Sequence, residues 1–256
     1  MSSSDIDELK KVDELLLRRL LESPGSTPKE MLYLELACLP IRFILMSRRV
    51  MFLHTILQEC EQSLLHRFFQ AQNKNPTKGD WCQSAQKSLD DLDLKLSFSQ
   101  VKQMKKEDQQ EQIKQACAKS ALKYLNKVKS KHTKVLHIPH NTWGMQSYLK
   151  PNQITISEAK FIFSVRTRML DVKENFKKKY SDSKCPNCTE QDTQSHLLFC
   201  EKLIGASSIV QEAPNYSNIF GEDLDEILKV TRIMSENFKL RNKLKSQDVN
   251  HVNRMD

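Results

Sequence analysis

The amino-acid sequence predicts a mainly α-helical protein, an irregular helical bundle with a small cysteine- and histidine-rich module towards its C-terminus. Glycine and proline are scarce, at 5 and 8 of 256 residues, against an average usage of about 7% and 5%. Several long segments repeat apolar residues at helical spacing. Hydrophobic residues make up 39% of the chain and charged residues 28%, as in an ordinary globular protein.

The first two helices are predicted from apolar spacing and from a start signal. The ESPGS stretch, residues 22–26, ends the first helix. In the following TPKE stretch, Thr27 is placed to cap a helix, Pro28 takes its first position and Glu30 completes a capping box. The apolar face of the first helix, over residues 5–22, consists of Ile6, Leu9, Val12, Leu16 and Leu20.

The next segments are predicted to supply the core. Residues 41–72 carry a broad apolar face over one long helix, which we place in the protein interior. Asn, Pro and Gly in residues 73–81 predict a loop. Residues 81–93 and 98–129 are predicted to be helical again, the second with a thin apolar stripe.

Two further helices are predicted in the C-terminal part of the chain. Ser157 is placed to cap a helix from Glu158 to about residue 179, although the FIFSV stretch alone also fits a strand. A last helix is predicted over residues 222–245, before a polar tail.

Basic charge is concentrated between Ser97 and Lys184. This segment holds 19 Lys and Arg against 7 Asp and Glu, an excess of 12, whereas the whole chain carries +8. The remainder is therefore net acidic. Such a basic segment favours nucleic acid or another acidic surface as its partner.

The sequence predicts neither a membrane protein nor a disulfide-bonded one. No apolar run approaches the roughly 18 residues of a membrane helix, and the N-terminal residues are polar and acidic, unlike a secretory signal. We therefore expect the nucleus or cytoplasm, where the 7 cysteines stay reduced.

The most informative stretch is CPNCTEQDTQSHLLFC, residues 185–200. Cys185 and Cys188 form a C-x2-C pair on a tight turn, and His196 and Cys200, at i and i+4, share one face of a short helix. Three thiolates and one imidazole suit a closed tetrahedral Zn²⁺ site, which leaves no open position for water or substrate. The metal would then supply folding energy rather than chemistry.

Two other interpretations of these cysteines stay open. CPNC is also the spacing of a thioredoxin-type redox pair, which needs a strand–helix context that the lysine-rich residues 170–184 do not supply. The cysteines are alternatively unrelated core residues that cluster by chance. The zinc interpretation is favoured because all four ligands have suitable spacing.

Several stretches resemble the C-terminal region of non-LTR (LINE-type) retrotransposon reverse transcriptase polyproteins, over most of residues 5–240. They are STPKEMLYLELACLPIRFILMSRRVMFLHTIL, FFQAQNKNPTKGDW, EAKFIFSVRTRMLDVKENFKKKY and CPNC followed by DTQSHLLFC. The resemblance implies a thumb-like helical region, a linker and a CCHC zinc knuckle that grips template RNA or target DNA. It makes the zinc ligands Cys185, Cys188, His196 and Cys200.

The resemblance also implies nucleic-acid contacts just before the knuckle, and a division of the chain. The contacting residues are expected to be Arg166, Arg168, Lys173, Lys177, Lys178, Lys179 and Lys184. The expected regions are a thumb-like and linker region at 1–135, a connection and basic helix at 136–184, the knuckle at 185–200, and a C-terminal helix and polar tail at 201–256.

Catalytic motifs of such polyproteins are missing from the sequence. A reverse transcriptase holds two metal ions with paired aspartates in a Tyr-x-Asp-Asp turn, and the nearest match, residues 180–183, lacks the second aspartate. The residues after Cys200 carry no nuclease constellation. We therefore expect a non-catalytic nucleic-acid-binding fragment, truncated or domesticated.

Two alternatives to nucleic-acid binding remain. The first is a helical protein–protein interaction module, suggested by the thin apolar stripe of Val101, Met104, Ile113 and Leu122. The second is a transposon remnant without selected function. An enzyme is the least favoured class, because no acid, base and nucleophile are grouped in the sequence.

Overall fold

Helices make up most of the computed structural model, which describes residues 3–136, 138–204 and 215–252. Over these residues the protein is 66% helix, with eleven α-helices and no strand, so the prediction of a mainly α fold is confirmed. The chain forms two compact units. Unit 1 comprises residues 1–17, 37–128 and 140–143, and unit 2 comprises residues 18–36, 129–139 and 144–256. The boundaries expected at residues 135, 184 and 200 stay predictions.

Unit 1 is a set of helices packed around one apolar core. Polar residues begin three of them, because the side chains of Ser63, Asp80 and Ser97 each accept a backbone N–H three residues on. Fully buried members of the core include Leu53, Leu89 and Val101. The helices of this unit are α1 (Ser3–Leu21, which continues into unit 2), α3 (Ile41–Gln58), α4 (Leu64–Lys74), α5 (Trp81–Asp91), α6 (Phe98–Gln103) and α7 (Lys106–Lys129).

Two helices predicted to be continuous are broken in the structure. The helix expected over residues 41–72 ends at Gln58, because Glu59 adopts an extended backbone and Ser63 caps α4 afresh. The helix expected over residues 98–129 is likewise interrupted at Met104, whose backbone is extended. At the first break, the Ser63 cap on α4 overrides the helical periodicity on which the prediction relied.

Unit 2 combines helices with short 3-10 turns around the cysteine- and histidine-rich segment. Its longest helix, α11, packs against α8, α9 and α10. The start of α2 differs from expectation, since the Thr27 hydroxyl is buried without a hydrogen-bond partner in the described chain, and no capping box forms. The helices are α2 (Lys29–Leu36), α8 (Ile156–Arg166), α9 (His196–Phe199), α10 (Glu201–Ile204) and α11 (Leu224–Val252), with 3-10 helices at Thr133–Val135, Ser147–Leu149, Lys173–Phe176 and Tyr216–Phe220.

Helix α8 is much shorter than the helix expected to run to residue 179. It is capped by Thr155 instead of Ser157, in a capping box with Glu158. The helix ends at Arg166 because Arg168 takes a left-handed backbone conformation, with φ +58°. The lysines from residue 173 onwards therefore lie in a 3-10 turn and its continuation, and the FIFSV stretch is helical.

None of the helices in the described part of the chain is both long and apolar enough to cross a lipid bilayer.

Candidate metal centre

Cys185, Cys188, His196 and Cys200 converge in unit 2, with their ligand atoms all within 4.8 Å of one another. The Cys188 Sγ lies 3.2 Å from the His196 Nε2 and 3.9 Å from the Cys200 Sγ. A tetrahedral zinc ion, with Zn–S near 2.3 Å and Zn–N near 2.0 Å, sets its ligands roughly 3.5–3.8 Å apart. The four predicted residues are thus brought together in an arrangement compatible with a metal site.

The first two ligands sit on a turn closed by backbone hydrogen bonds. The Cys185 N–H donates to the Glu190 carbonyl at 2.7 Å, and the Asp192 N–H donates to the Ser183 carbonyl at 2.8 Å. Within the turn, the Asn187 N–H points at the Cys185 Sγ, 3.5 Å away. Because backbone donors favour a negatively charged sulfur, this turn is suited to hold a thiolate.

The other two ligands are presented by α9. The His196 N–H donates to the Thr193 hydroxyl at 3.0 Å, which starts the helix, and the Cys200 N–H donates to the His196 carbonyl at 2.9 Å. This turn places His196 and Cys200 on one side. Leu197 and Leu198 between them are buried, whereas Phe199 is 48% exposed.

Burial affects the protonation of two of the thiols. It raises the pKa of Cys185 to about 12 and also raises the pKa of Cys200, with the neighbouring cysteines adding to both shifts. Neutral thiols are thus favoured by the protein alone. A divalent cation offsets the charge of the thiolates and reverses this preference, which is how metal binding couples to proton release.

Asp192, between the two ligand pairs, anchors the segment to α11. It is 1% exposed and accepts hydrogen bonds from two nitrogens of the equally buried Arg241, with the Arg241 Nε 3.1 Å from the Asp192 Oδ1. Its second oxygen accepts the Lys173 N–H at 2.8 Å. The Asp192 carboxylate therefore ties three parts of unit 2 together.

Gln194 makes a second set of buried links. Its amide nitrogen donates to the Val165 carbonyl at 2.9 Å and to the Tyr216 hydroxyl at 2.7 Å, and its oxygen accepts from Asn175 at 2.8 Å. On α11, the Asn237 side chain donates to the Leu197 carbonyl at 2.6 Å. No sequence motif indicates these supporting residues. The one signal for Asp192 and Gln194 was their position between the ligand pairs.

The structure corrects the expected role of Arg166. Its side chain is fully buried, and its Nε lies 3.0 Å from the Glu35 Oε2 in an ion pair with no exposed atoms. It also donates to the Ile219 carbonyl at 2.8 Å. Because its guanidinium is occupied by the protein's own groups and shielded from solvent, Arg166 has no surface to offer a phosphate.

The other six basic residues lie at or near the surface. Arg168 pairs with Glu174 at 3.2 Å, and Lys173 pairs with Asp182 at 2.6 Å. The Lys179 Nζ pairs with Asp171 at 3.1 Å and lies 5.0 Å from the centroid of the Tyr180 ring. The remaining three are solvent-exposed: Lys177, Lys178 and Lys184.

Comparison of the chain with models of protein families, with curated proteins and with solved structures finds no match. The resemblance to retrotransposon polyproteins therefore stays a prediction.

Proposed function

We propose that the protein is a non-catalytic nucleic-acid-binding module in which Cys185, Cys188, His196 and Cys200 hold a structural Zn²⁺. Three thiolates and one imidazole are the donors that zinc prefers, and four protein ligands fill its tetrahedral shell. Such a closed site stabilises the fold around it and takes no part in a reaction.

The observation that carries the proposal is the attachment of a basic loop, residues 173–184, to the ligand segment at both ends. At its start, the Lys173 and Glu174 N–H groups donate to Asp192. At its end, Lys184 forms a β-bridge with Gln191. A metal that orders residues 185–200 would therefore also order the exposed lysines of this loop.

Electrostatics support nucleic acid as the partner of this loop. Lys177, Lys178 and Lys184 are exposed on it, within a segment whose basic residues exceed its acidic ones by 12. These lysines lie on a loop and not on a helix or strand that could enter a groove, so we expect them to contact phosphates and not bases. Binding should then show little preference for nucleotide sequence and should weaken strongly as salt rises.

The test is fluorescence anisotropy of labelled single-stranded RNA and DNA with the zinc-loaded protein across a salt series. Each lost phosphate contact lowers the logarithmic salt slope by about 0.7 for single strands. Alanine at Lys177, Lys178 and Lys184 should thus lower the slope by about 2 and weaken binding. The matched control replaces Lys105, Lys106 and Lys114, which are exposed residues of unit 1, with the same loss of charge. Equal effects of the two variants would contradict the proposal.

The retrotransposon resemblance supports the same function. In that proposal the helices before residue 135 descend from a thumb and linker, and the CCHC segment is the knuckle that meets RNA or DNA. Nuclear or cytoplasmic residence would follow from such a role.

The second candidate function is protein–protein interaction, and the surface that favours it differs from the one expected. The stripe first suggested for it is not exposed, since Val101 and Ile113 belong to the core of unit 1. Helix α1 instead exposes three apolar residues at helical spacing within unit 1, Leu9, Val12 and Leu16, between 41% and 60% accessible. Sedimentation of the wild type beside a Val12→Glu/Leu16→Glu variant tests it, since an assembly through α1 should dissociate in the variant.

A further inference from the structure

A pocket of about 620 Å³ opens in unit 2, and its wall includes part of the basic loop. One wall is the 3-10 helix Thr133–Val135, a second is Arg168 just after α8, and the third is the 3-10 helix Lys173–Phe176 with the two lysines that follow. The lining residues are Thr133, Lys134, Arg168, Glu174, Asn175, Phe176, Lys177 and Lys178.

The pocket is lined by four cationic side chains and one carboxylate. The carboxylate, Glu174, is already engaged by Arg168 at 3.2 Å. Arg168 in addition keeps its Nε buried without a hydrogen-bond partner among the described residues. Lys177 and Lys178 reach the solvent at the pocket wall. A surplus of donors over acceptors in one cavity favours an anionic ligand.

Phe176 adds an aromatic surface to this cationic pocket. The Lys134 Nζ lies 5.7 Å and the Lys179 Nζ 5.9 Å from the centroid of its ring. Lys134 is held in place by donating to the Asn175 carbonyl at 2.6 Å. An aromatic ring beside lysines is the combination that single-stranded nucleic acids use, since the ring stacks on a base and the cations meet the phosphate.

The pocket volume suits one small organic unit. Pockets that enclose such ligands measure about 300–1,000 Å³. A volume of about 620 Å³ accepts one base with its sugar and phosphate, and exceeds what a bare phosphate needs.

The pocket is also connected to the metal centre. Asn175, which lines it, donates to Gln194 at 2.8 Å, and the Glu174 N–H donates to the Asp192 carbonyl at 3.1 Å. Because both acceptors lie between the two ligand pairs, the shape of the pocket depends on the order of the ligand segment.

We infer that this pocket takes one unpaired nucleotide of a nucleic-acid strand, with the phosphate against Lys134, Lys177 and Lys178 and the base against Phe176. The inference rests on the proposed nucleic-acid function and adds the class of ligand. A paired base has to leave its stack to enter, so the pocket selects single strands over duplexes.

The first experiment titrates the zinc-loaded, full-length, isotope-labelled protein with AMP, adenosine and inorganic phosphate and follows backbone amides by NMR. AMP should shift the amides of Asn175, Phe176 and Lys177, and should bind at least about tenfold more tightly than either adenosine or phosphate, because only AMP engages both the cations and the ring. The inference would be overturned if AMP bound no more tightly than adenosine, or no more tightly than phosphate. It would also be overturned if the amide signals of the pocket residues did not shift.

The second experiment measures single-strand and duplex binding of two variants. Lys177→Ala/Lys178→Ala should weaken single-strand binding at least about tenfold, and Lys105→Ala/Lys106→Ala, an equal loss of charge at exposed residues outside the pocket, should weaken it less. Phe176→Leu keeps the site apolar and should reduce the preference for single strands by about fivefold or more.

The outcomes separate the two proposals. If no oligonucleotide binds, both the proposed function and the strand-binding inference are wrong. A different result would overturn the pocket inference alone. Oligonucleotides would bind with strong salt dependence, AMP would not shift the pocket amides, and Phe176→Leu would keep the preference for single strands. The proposed function would then stand.

Discussion

Arg241 and Asp192 form a buried ion pair that joins the last long helix to the segment carrying the candidate metal ligands. Both side chains are about 1% exposed, and the Arg241 Nε lies 3.1 Å from the Asp192 Oδ1. Arg241 also donates to the Asp171 carbonyl at 3.2 Å. The order of the candidate metal centre therefore depends on a residue 41 positions after its last ligand.

Replacing Arg241 with methionine should destabilise unit 2 strongly. The change leaves the Asp192 carboxylate buried without its counter-charge, at a cost of about 3–5 kcal/mol in the free energy of unfolding. Urea denaturation measures the loss. Arg232→Met on the same helix is the control, because Arg232 is 67% exposed and its ion pair with Glu158 is long, at 3.7 Å. Loss of this exposed pair should cost under about 1 kcal/mol. Similar costs for the two variants would contradict the role of the Arg241 pair.

Replacing Cys185 with serine should abolish stoichiometric zinc binding and loosen residues 173–200 without unfolding unit 1. The core of unit 1 has no member in that segment, so amides of α5 and α7 should keep their protection from hydrogen exchange while those of α9 lose it. Metal content after dialysis gives the stoichiometry. Cys60→Ser, at an exposed cysteine, should retain the metal. Loss of protection throughout the chain would refute this local response.

Replacing Tyr148 with phenylalanine should cost about 1.5–3 kcal/mol, because its hydroxyl donates to the buried Glu35 carboxylate. The hydroxyl lies 2.6 Å from the Glu35 Oε2, and both residues are almost fully buried. Thermal or urea denaturation measures the difference. Tyr124→Phe, at a tyrosine that is 40% exposed, should change stability by less than about 0.5 kcal/mol.

The same tyrosine should make stability depend on pH in alkaline solution. Burial, and next the Glu35 charge, raise the pKa of Tyr148 well above its ordinary value. The folded state therefore keeps a proton that the unfolded chain releases above about pH 10. The stabilising contribution of Tyr148 is complete below that pH and falls as the pH rises towards the folded pKa. Between pH 9 and 11 the wild type should lose stability more steeply than Tyr148→Phe. If the stability of the two proteins fell in parallel over this pH range, the proposed role of Tyr148 would be wrong.

The buried cysteines of unit 1 should resist alkylation in the native protein. Burial raises the pKa of both Cys82 and Cys117 to about 11, which lowers their thiolate fraction at neutral pH by about 100-fold relative to an ordinary thiol. Cys60 is exposed and should react first with iodoacetamide. Mass spectrometry of a time course gives the order, and rapid native labelling of Cys117 would show that the core opens more readily than its packing indicates.

The convergence of the four candidate metal ligands could be predicted because their geometry is local. A turn decides how close Cys185 and Cys188 lie, and one helical turn decides the same for His196 and Cys200, so spacing alone is informative. Their convergence in the structure agrees with that prediction.

The fate of Arg166 could not be predicted in the same way. Its partner Glu35 lies 131 residues earlier, and the FSVRTRM stretch does not show that Arg166 faces inward while Arg168 stays partly exposed. The end of α8 could not be predicted from the sequence either. The left-handed residue after the helix is Arg168, not the glycine or asparagine that normally marks such an end.

Asn237 and Arg241 support residues that come earlier in the chain, and this order has a consequence during synthesis. The ribosome releases the four ligands before either of these residues, so the ligand segment emerges ahead of the helix that supports it. Under the proposed function, the nascent chain would therefore bind its metal before the ligand segment docks onto α11. A premature stop codon between residues 200 and 237 would leave a product that still contains every ligand and lacks both anchors, an apparent metal protein prone to degradation.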